Sequence, residues 1–67
     1  MLKARIHNAK ACTVDGLDHW VGCFLNKDGR FVGGLDNVHS DDELQDVINW
    51  LKDTARERGH DVEVEVV

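Results

Sequence analysis

The chain has 67 residues, a net charge of −5 and two cysteines. This is one small domain spanning 1–67, which buries roughly 60% of the surface its unfolded form exposes and holds too few cysteines for a disulfide scaffold. No N-terminal stretch has the basic-then-apolar pattern of a signal peptide, and no apolar run approaches the roughly 20 residues of a membrane span, so the expectation is a cytoplasmic protein with reduced thiols and no membrane partner.

The first strand is marked by Leu2, Ala4 and Ile6 alternating with Lys3, Arg5 and His7. Cys12 and Val14 share the apolar parity, but Asn8 and Lys10 interrupt it, which predicts a bulge or break near 8–10. The turn Asp15-Gly16-Leu17-Asp18 follows. It would pair Val14 with His19 and set Cys12 and Cys23 on the core face as diagonal neighbours, both as buried thiols.

"HWVGCFLN", residues 19–26, is apolar or small from Trp20 to Leu25 and reads as a strand buried on both faces. Asn26-Lys27-Asp28-Gly29 fits a type I turn followed by a left-handed Gly, and that hairpin sets Phe24 opposite Val32 and Cys23 opposite Gly33. A tighter two-residue Asp28-Gly29 turn would instead put Phe31 and Leu35 beside Trp20 and Phe24. In either register Trp20, Gly22 and Phe24 share one face, Val21, Cys23 and Leu25 the other.

The helix is predicted from about Asp41 to Arg58. Ser40 and Glu43 form a capping-box pattern, and Asp41 and Asp42 suit the positive helix N-terminus. Leu44, Val47, Ile48, Leu51 and Ala55 make one buried stripe, Trp50 falls outside it, and Gly59 is a natural stop. The final segment "HDVEVEVV" puts Val62, Val64 and Val66 on one face and Asp61, Glu63 and Glu65 on the other. The fold class is α+β, with order β-β-β-α-β. It is a four-stranded, mostly antiparallel sheet with one helix on one face and the last strand parallel to its neighbour.

One helix covers one face. With the helix stripe placed on Val21, Cys23, Leu25 and the terminal valines, Trp20, Phe24 and Val32 are left pointing away as an aromatic patch. Residues 8–18 folding back would shelter it within the monomer. Otherwise a second copy or another protein supplies the cover, and Trp50 carries the same ambiguity.

Charge adds a direction. Residues 1–35 hold five Lys or Arg against three acids, giving +2, whereas residues 36–67 hold three against ten, giving −7. An acidic surface steers towards a basic partner, and direct nucleic-acid binding is disfavoured because phosphate contacts come from Lys and Arg. The leading expectation is a non-enzymatic protein-binding module, a small acidic inhibitor or regulator of a larger nucleic-acid-handling enzyme, of the kind phage and mobile elements carry. Its contacts would be Trp20, Phe24, Val32 and Trp50, with Asp41, Asp42, Glu43 and Asp46 steering.

The alternative is a homodimer stacked through the sheet face. A third reading is a small zinc-binding domain using His7, Cys12, His19 and Cys23, whose spacing matches zinc motifs loosely. No cofactor, metal or catalytic residue is assigned, because no nucleophile-and-base pair or phosphate-cradling loop is evident. The run from Asp28-Gly29 through a strand pair into a helix resembles small antitoxins of the HicB type over about half the chain. It lacks their Gly-Cys-x-x-x-Gly segment before the helix, so the resemblance carries no residue roles over.

Overall fold

The computed structural model describes residues 2–12, 14–26 and 38–67, with Cys12 described by its backbone alone. Strand β1 (Leu2–Asn8) is followed by a short 3-10 turn at Lys10–Cys12, then β2 (Trp20–Leu25), β3 (Val38–Asp41), helix α1 (Leu44–Glu57) and β4 (Val62–Val66). The sheet order is β3-β2-β1-β4. Both β1–β2 and β2–β3 are antiparallel, while β4 runs parallel to β1. This is the expected α+β layer, four strands under one helix.

The expected hairpin partner is corrected. Cys23 lies opposite Val38, not Gly33, and the ladder continues Gly22–His39, Val21–Ser40 and Trp20–Asp41. The Asn26–Gly29 turn falls largely, and Val32 entirely, outside the described residues.

The face that the helix covers is corrected as well. In the β1–β2 register, Ala4 faces Phe24, Ile6 faces Gly22 and Asn8 faces Trp20. Paired residues share a face, so the apolar side of β1 adds to the Trp20–Gly22–Phe24 side of β2. Lys3, Arg5 and His7 are placed opposite Leu25, Cys23 and Val21. Only the first of these faces is apolar in both central strands, and α1 packs there. Ala4, Ile6, Phe24, Val47, Leu51 and Ala55 form the buried core, with Phe24 fully enclosed. Trp20, Trp50, Leu44, Ile48, Val62 and Val64 pack around it. Phe24 therefore belongs to the core and not to an exposed patch.

Gly22 is the seat of the helix. A Cβ at this position would lie 2.6 Å from Val47 Cγ1 and 3.0 Å from Leu51 Cδ1. The missing side chain lets the helix settle onto the sheet. The helix stripe itself follows the sequence spacing.

The helix begins later than its sequence suggests. Ser40 is not a cap: it lies in β3 opposite Val21. Strand pairing fixes its backbone as extended before the helix can start. Glu43 occupies the cap position without a side-chain cap bond, and its carbonyl accepts from Asp46 N–H at 3.2 Å and Val47 N–H at 3.4 Å. The stop is as expected. Gly59 takes φ +75°, its N–H donates to the Arg56 carbonyl and His60 N–H donates to the Ala55 carbonyl, a Schellman closure.

The β1–β2 connection is held by Asn8. Its Oδ1 accepts from Lys10 N–H at 3.0 Å and His19 N–H at 3.3 Å, and its Nδ2 donates to Asp18 Oδ1 at 2.9 Å. The break near Asn8 is thus real, and it ends the strand. Cys12 lies in the 3-10 turn, so the expected pairing of the two cysteines on the core face is overturned. Cys23 is a free, buried thiol on the face away from the helix. Burial raises its pKa, opposed by the charge and carbonyl of Arg5.

Adding one methyl at Gly22 tests the seat. Gly22→Ala is expected to cost about 1–3 kcal/mol in urea unfolding, the usual range for overpacking a tight core. Combining it with Val47→Ala, which clears the nearest atom, should recover part of that loss as a non-additive coupling.

Candidate functional site

The eight residues singled out from sequence as partner contacts divide sharply. Phe24 is enclosed in the core, and Val32 lies outside the described residues. The other six gather at one corner, where β2 begins, β3 ends and α1 starts.

Backbone geometry builds this corner. Trp20 opens β2 and pairs with Asp41, the last residue of β3. His39 and Asp41 are two apart on β3 and so share the helix-facing side. His39 stacks on Trp50, with ring centroids 4.8 Å apart and planes 18° apart. The other neighbour of Trp50 is Phe24, tilted at 5.9 Å and 42°. Trp50 thus spans from the core to the margin. It accounts for an aromatic that the helix periodicity left off the buried stripe: its stacking partner comes from an edge strand. Asp46 lies one helical turn before Trp50 on the same side. His39 is the residue that sequence reasoning missed. Its signal was two-residue parity with Asp41, legible only once β3 was placed at 38–41.

The carboxylates form the outer part. Asp42, Glu43 and Asp46 are exposed, and Asp41 is half-buried. Asp41 Oδ1 accepts from Glu43 N–H at 3.3 Å, and His39 Nε2 lies 3.7 Å from Asp41 Oδ2. Hydrogen bonding from the Asp42 carboxyl holds the Asp41 pKa below its ordinary 3.8, with the Glu43 N–H the next cause and the His39 charge a lesser one. Among the described residues, no Lys or Arg forms an ion pair with these four acids. Arg5 is 3.6 Å from Glu65 and Arg56 is 3.7 Å from Asp53, both elsewhere. Among the described residues, His39 is the basic side chain that meets these acids, at Asp41, and the corner is negative.

The zinc ligands considered from sequence are dispersed. His7 and Cys23 lie on the outer sheet face, and His19 contacts Asp15 in the turn at 3.2 Å. Among the described residues no three His, Cys, Asp or Glu side chains come together as a metal-binding group. No helix among them is long and apolar enough to cross a membrane. Shallow depressions occur among the described residues. One of about 440 Å³ is lined by Lys3, Arg5, Leu25, Asn26, Glu63 and Glu65, and one of about 340 Å³ by Lys52, Arg56, His60, Asp61 and Val62. Neither reaches the acidic corner.

The Asp41 pKa gives a pH prediction. A carboxylate depressed in the folded state contributes stability above its unfolded pKa and loses it as pH falls through the lower folded value. Asp41→Asn should therefore narrow the stability difference between neutral pH and pH below about 3.8, as followed by acid unfolding. An unchanged acid limb would show that the turn bonds at Asp41 do not stabilise the fold. Compared with family models, with curated proteins and with solved structures, the chain matches none, which leaves the geometry of this corner as the basis for a functional reading.

Proposed function

We propose that this chain is a non-enzymatic protein-binding module whose acidic corner receives a basic surface of another protein. The observation that carries the reading is the convergence of Asp41, Asp42, Glu43 and Asp46 beside the half-buried rings of Trp20, His39 and Trp50, with no Lys or Arg counter-charge among the described residues. Carboxylates steer and pair with an incoming Arg or Lys. Aromatic faces beside them favour the same cations and give their aliphatic stems an apolar surface.

The fold suits this work. Trp50 is braced by Phe24 and His39, so little side-chain freedom remains to be lost on binding. Asp41 is held by the Glu43 N–H. The partner we favour is a nucleic-acid-handling enzyme. Such enzymes expose cationic surfaces for phosphate, and a rigid acidic module laid on one would act as an inhibitor or regulator by occupying it.

A polyarginine peptide titrated into the protein, with Trp fluorescence as the readout, tests the basic-surface reading. Binding should weaken steeply as salt rises. Each exposed ion pair is worth about 0.2–1 kcal/mol, so Asp42→Asn with Asp46→Asn should weaken binding roughly twofold to thirtyfold. Affinity that ignores both salt and these substitutions would overturn the proposal.

A further inference from the structure

The turn joining β1 to β2 carries two large aliphatic side chains in water. Val14 is fully exposed and Leu17 is 63% exposed. Between them Gly16 takes φ +69°, and Leu17 N–H donates to Asp15 Oδ1 at 3.0 Å, closing an Asx turn. Asn8 clamps the base of the connection through Lys10, Asp18 and His19, and Ala9 N–H donates to the His19 carbonyl at 2.7 Å. The Asp15 carboxylate also meets His19 Nε2. The tip is therefore a preset shape, with Val14 fully and Leu17 mostly in water.

Its position matters equally. The turn leaves the end of β1 and enters β2 at Trp20, which pairs with Asp41. It therefore projects from the same end of the sheet as the acidic corner. Asp15 and Asp18 flank its aliphatic groups with the same sign of charge. A hydrophobic tip flanked by carboxylates complements an apolar recess rimmed by Lys or Arg. It is poorly matched to an anionic lipid surface, which would repel those acids.

We infer that Val14 and Leu17 form an apolar prong that inserts into a recess of the same basic partner, making recognition two-point: charge at the corner and shape at the turn. This rests on the basic-partner reading above and adds the chemistry of the partner's surface, apolar at its centre and cationic at its rim. Holding the prong in its bound shape beforehand lowers the entropic cost of docking.

Two helical peptides of equal positive charge separate this inference from the reading it rests on. One has alternating Leu and Lys faces, and the other replaces each Leu with Ser. The protein should bind the Leu-bearing peptide about fivefold or more tightly, and Leu17→Ser should remove that preference while leaving affinity for the Ser-bearing peptide unchanged. Nuclear magnetic resonance shifts should move at Val14 and Leu17 with the Leu-bearing peptide only. Equal affinity for both peptides, with Val14 and Leu17 unmoved, overturns the prong and leaves the acidic corner standing. Binding to neither overturns both. Capture by neutral lipid vesicles, lost in Leu17→Ser, overturns the prong in favour of a lipid contact. Because both side chains are exposed, Leu17→Ser should leave the unfolding midpoint unchanged, so a loss of binding would not reflect a loss of fold.

Discussion

The contact between Val47 and Leu51 and the bare backbone of Gly22 decides everything above it. A sheet of four short strands has two faces and this chain has one helix, so which face the helix takes sets which residues are core and which are surface. Gly22 gives α1 a hollow in the middle of the sheet, bordered by Ile6 on β1 and Phe24 along β2. Packed there, the helix encloses Phe24 and Ile6 and draws Trp20 and Trp50 in at the margin. A Cβ at Gly22 would meet Val47 Cγ1 at 2.6 Å, so the Val47 side chain or the helix would have to give way. The stability of so small a domain leaves little margin for that.

Placing the helix on this face relocates the candidate site. An exposed aromatic face, the arrangement that β2 alone suggests, is replaced by a corner where aromatics emerge from the core and carboxylates surround them. The two arrangements use overlapping residues for different physical work. Trp20 and Trp50 are structural on one side and available on the other, which gives the corner rigidity that surface aromatics lack. The neighbouring turn has the same character. Asn8 ends β1 and uses both its amide groups to hold the connection, so that Val14 and Leu17 are presented on a fixed frame.

Most of the layer was legible in the sequence because its signals were single-valued. The helix stripe fits one period, the terminal Val-Glu alternation fits one strand, and the element order leaves few arrangements. The parity of β2 was legible too. What could not be decided from β2 was the direction of that parity, since Val21, Cys23 and Leu25 are as apolar as Trp20 and Phe24. The deciding information lay in β1, where Ala4 and Ile6 are apolar and Lys3, Arg5 and His7 are not. That information becomes usable only with the cross-strand register, which Asn8 and the 3-10 turn set without any periodic signal. Gly22 carried the remaining clue, since a glycine within a strand marks a close approach. The approach comes from this chain's own helix. Ser40 illustrates the opposite error, a capping pattern overruled because strand pairing claims the residue first.

The outer face of the sheet bears on whether a second copy could replace a distinct partner. Its residues fall into two halves: Val38, Val21, Cys23 and Leu25 on β3 and β2, then Lys3, Arg5, His7, Glu63 and Glu65 on β1 and β4. A two-fold axis along β2 stacks the apolar row on itself but lays the cationic row of β1 over the apolar row of β3 in the other copy. An axis between β1 and β4 matches Lys3 and Arg5 with the glutamates but leaves the apolar half uncovered. No single rotation about an axis along the strands satisfies both halves, as an isologous interface requires. Cys23 and Leu25 are already reduced to 8% exposure within one chain, and Arg5 already pairs with Glu65. Of the apolar row, Val38 stays 57% exposed and Val21 half-buried, so self-stacking along this face would bury chiefly those two side chains. The acidic corner and the exposed Val14 and Leu17 lie at one end of the sheet, and that pairing of charge with apolar surface is what the proposed partner would have to complement.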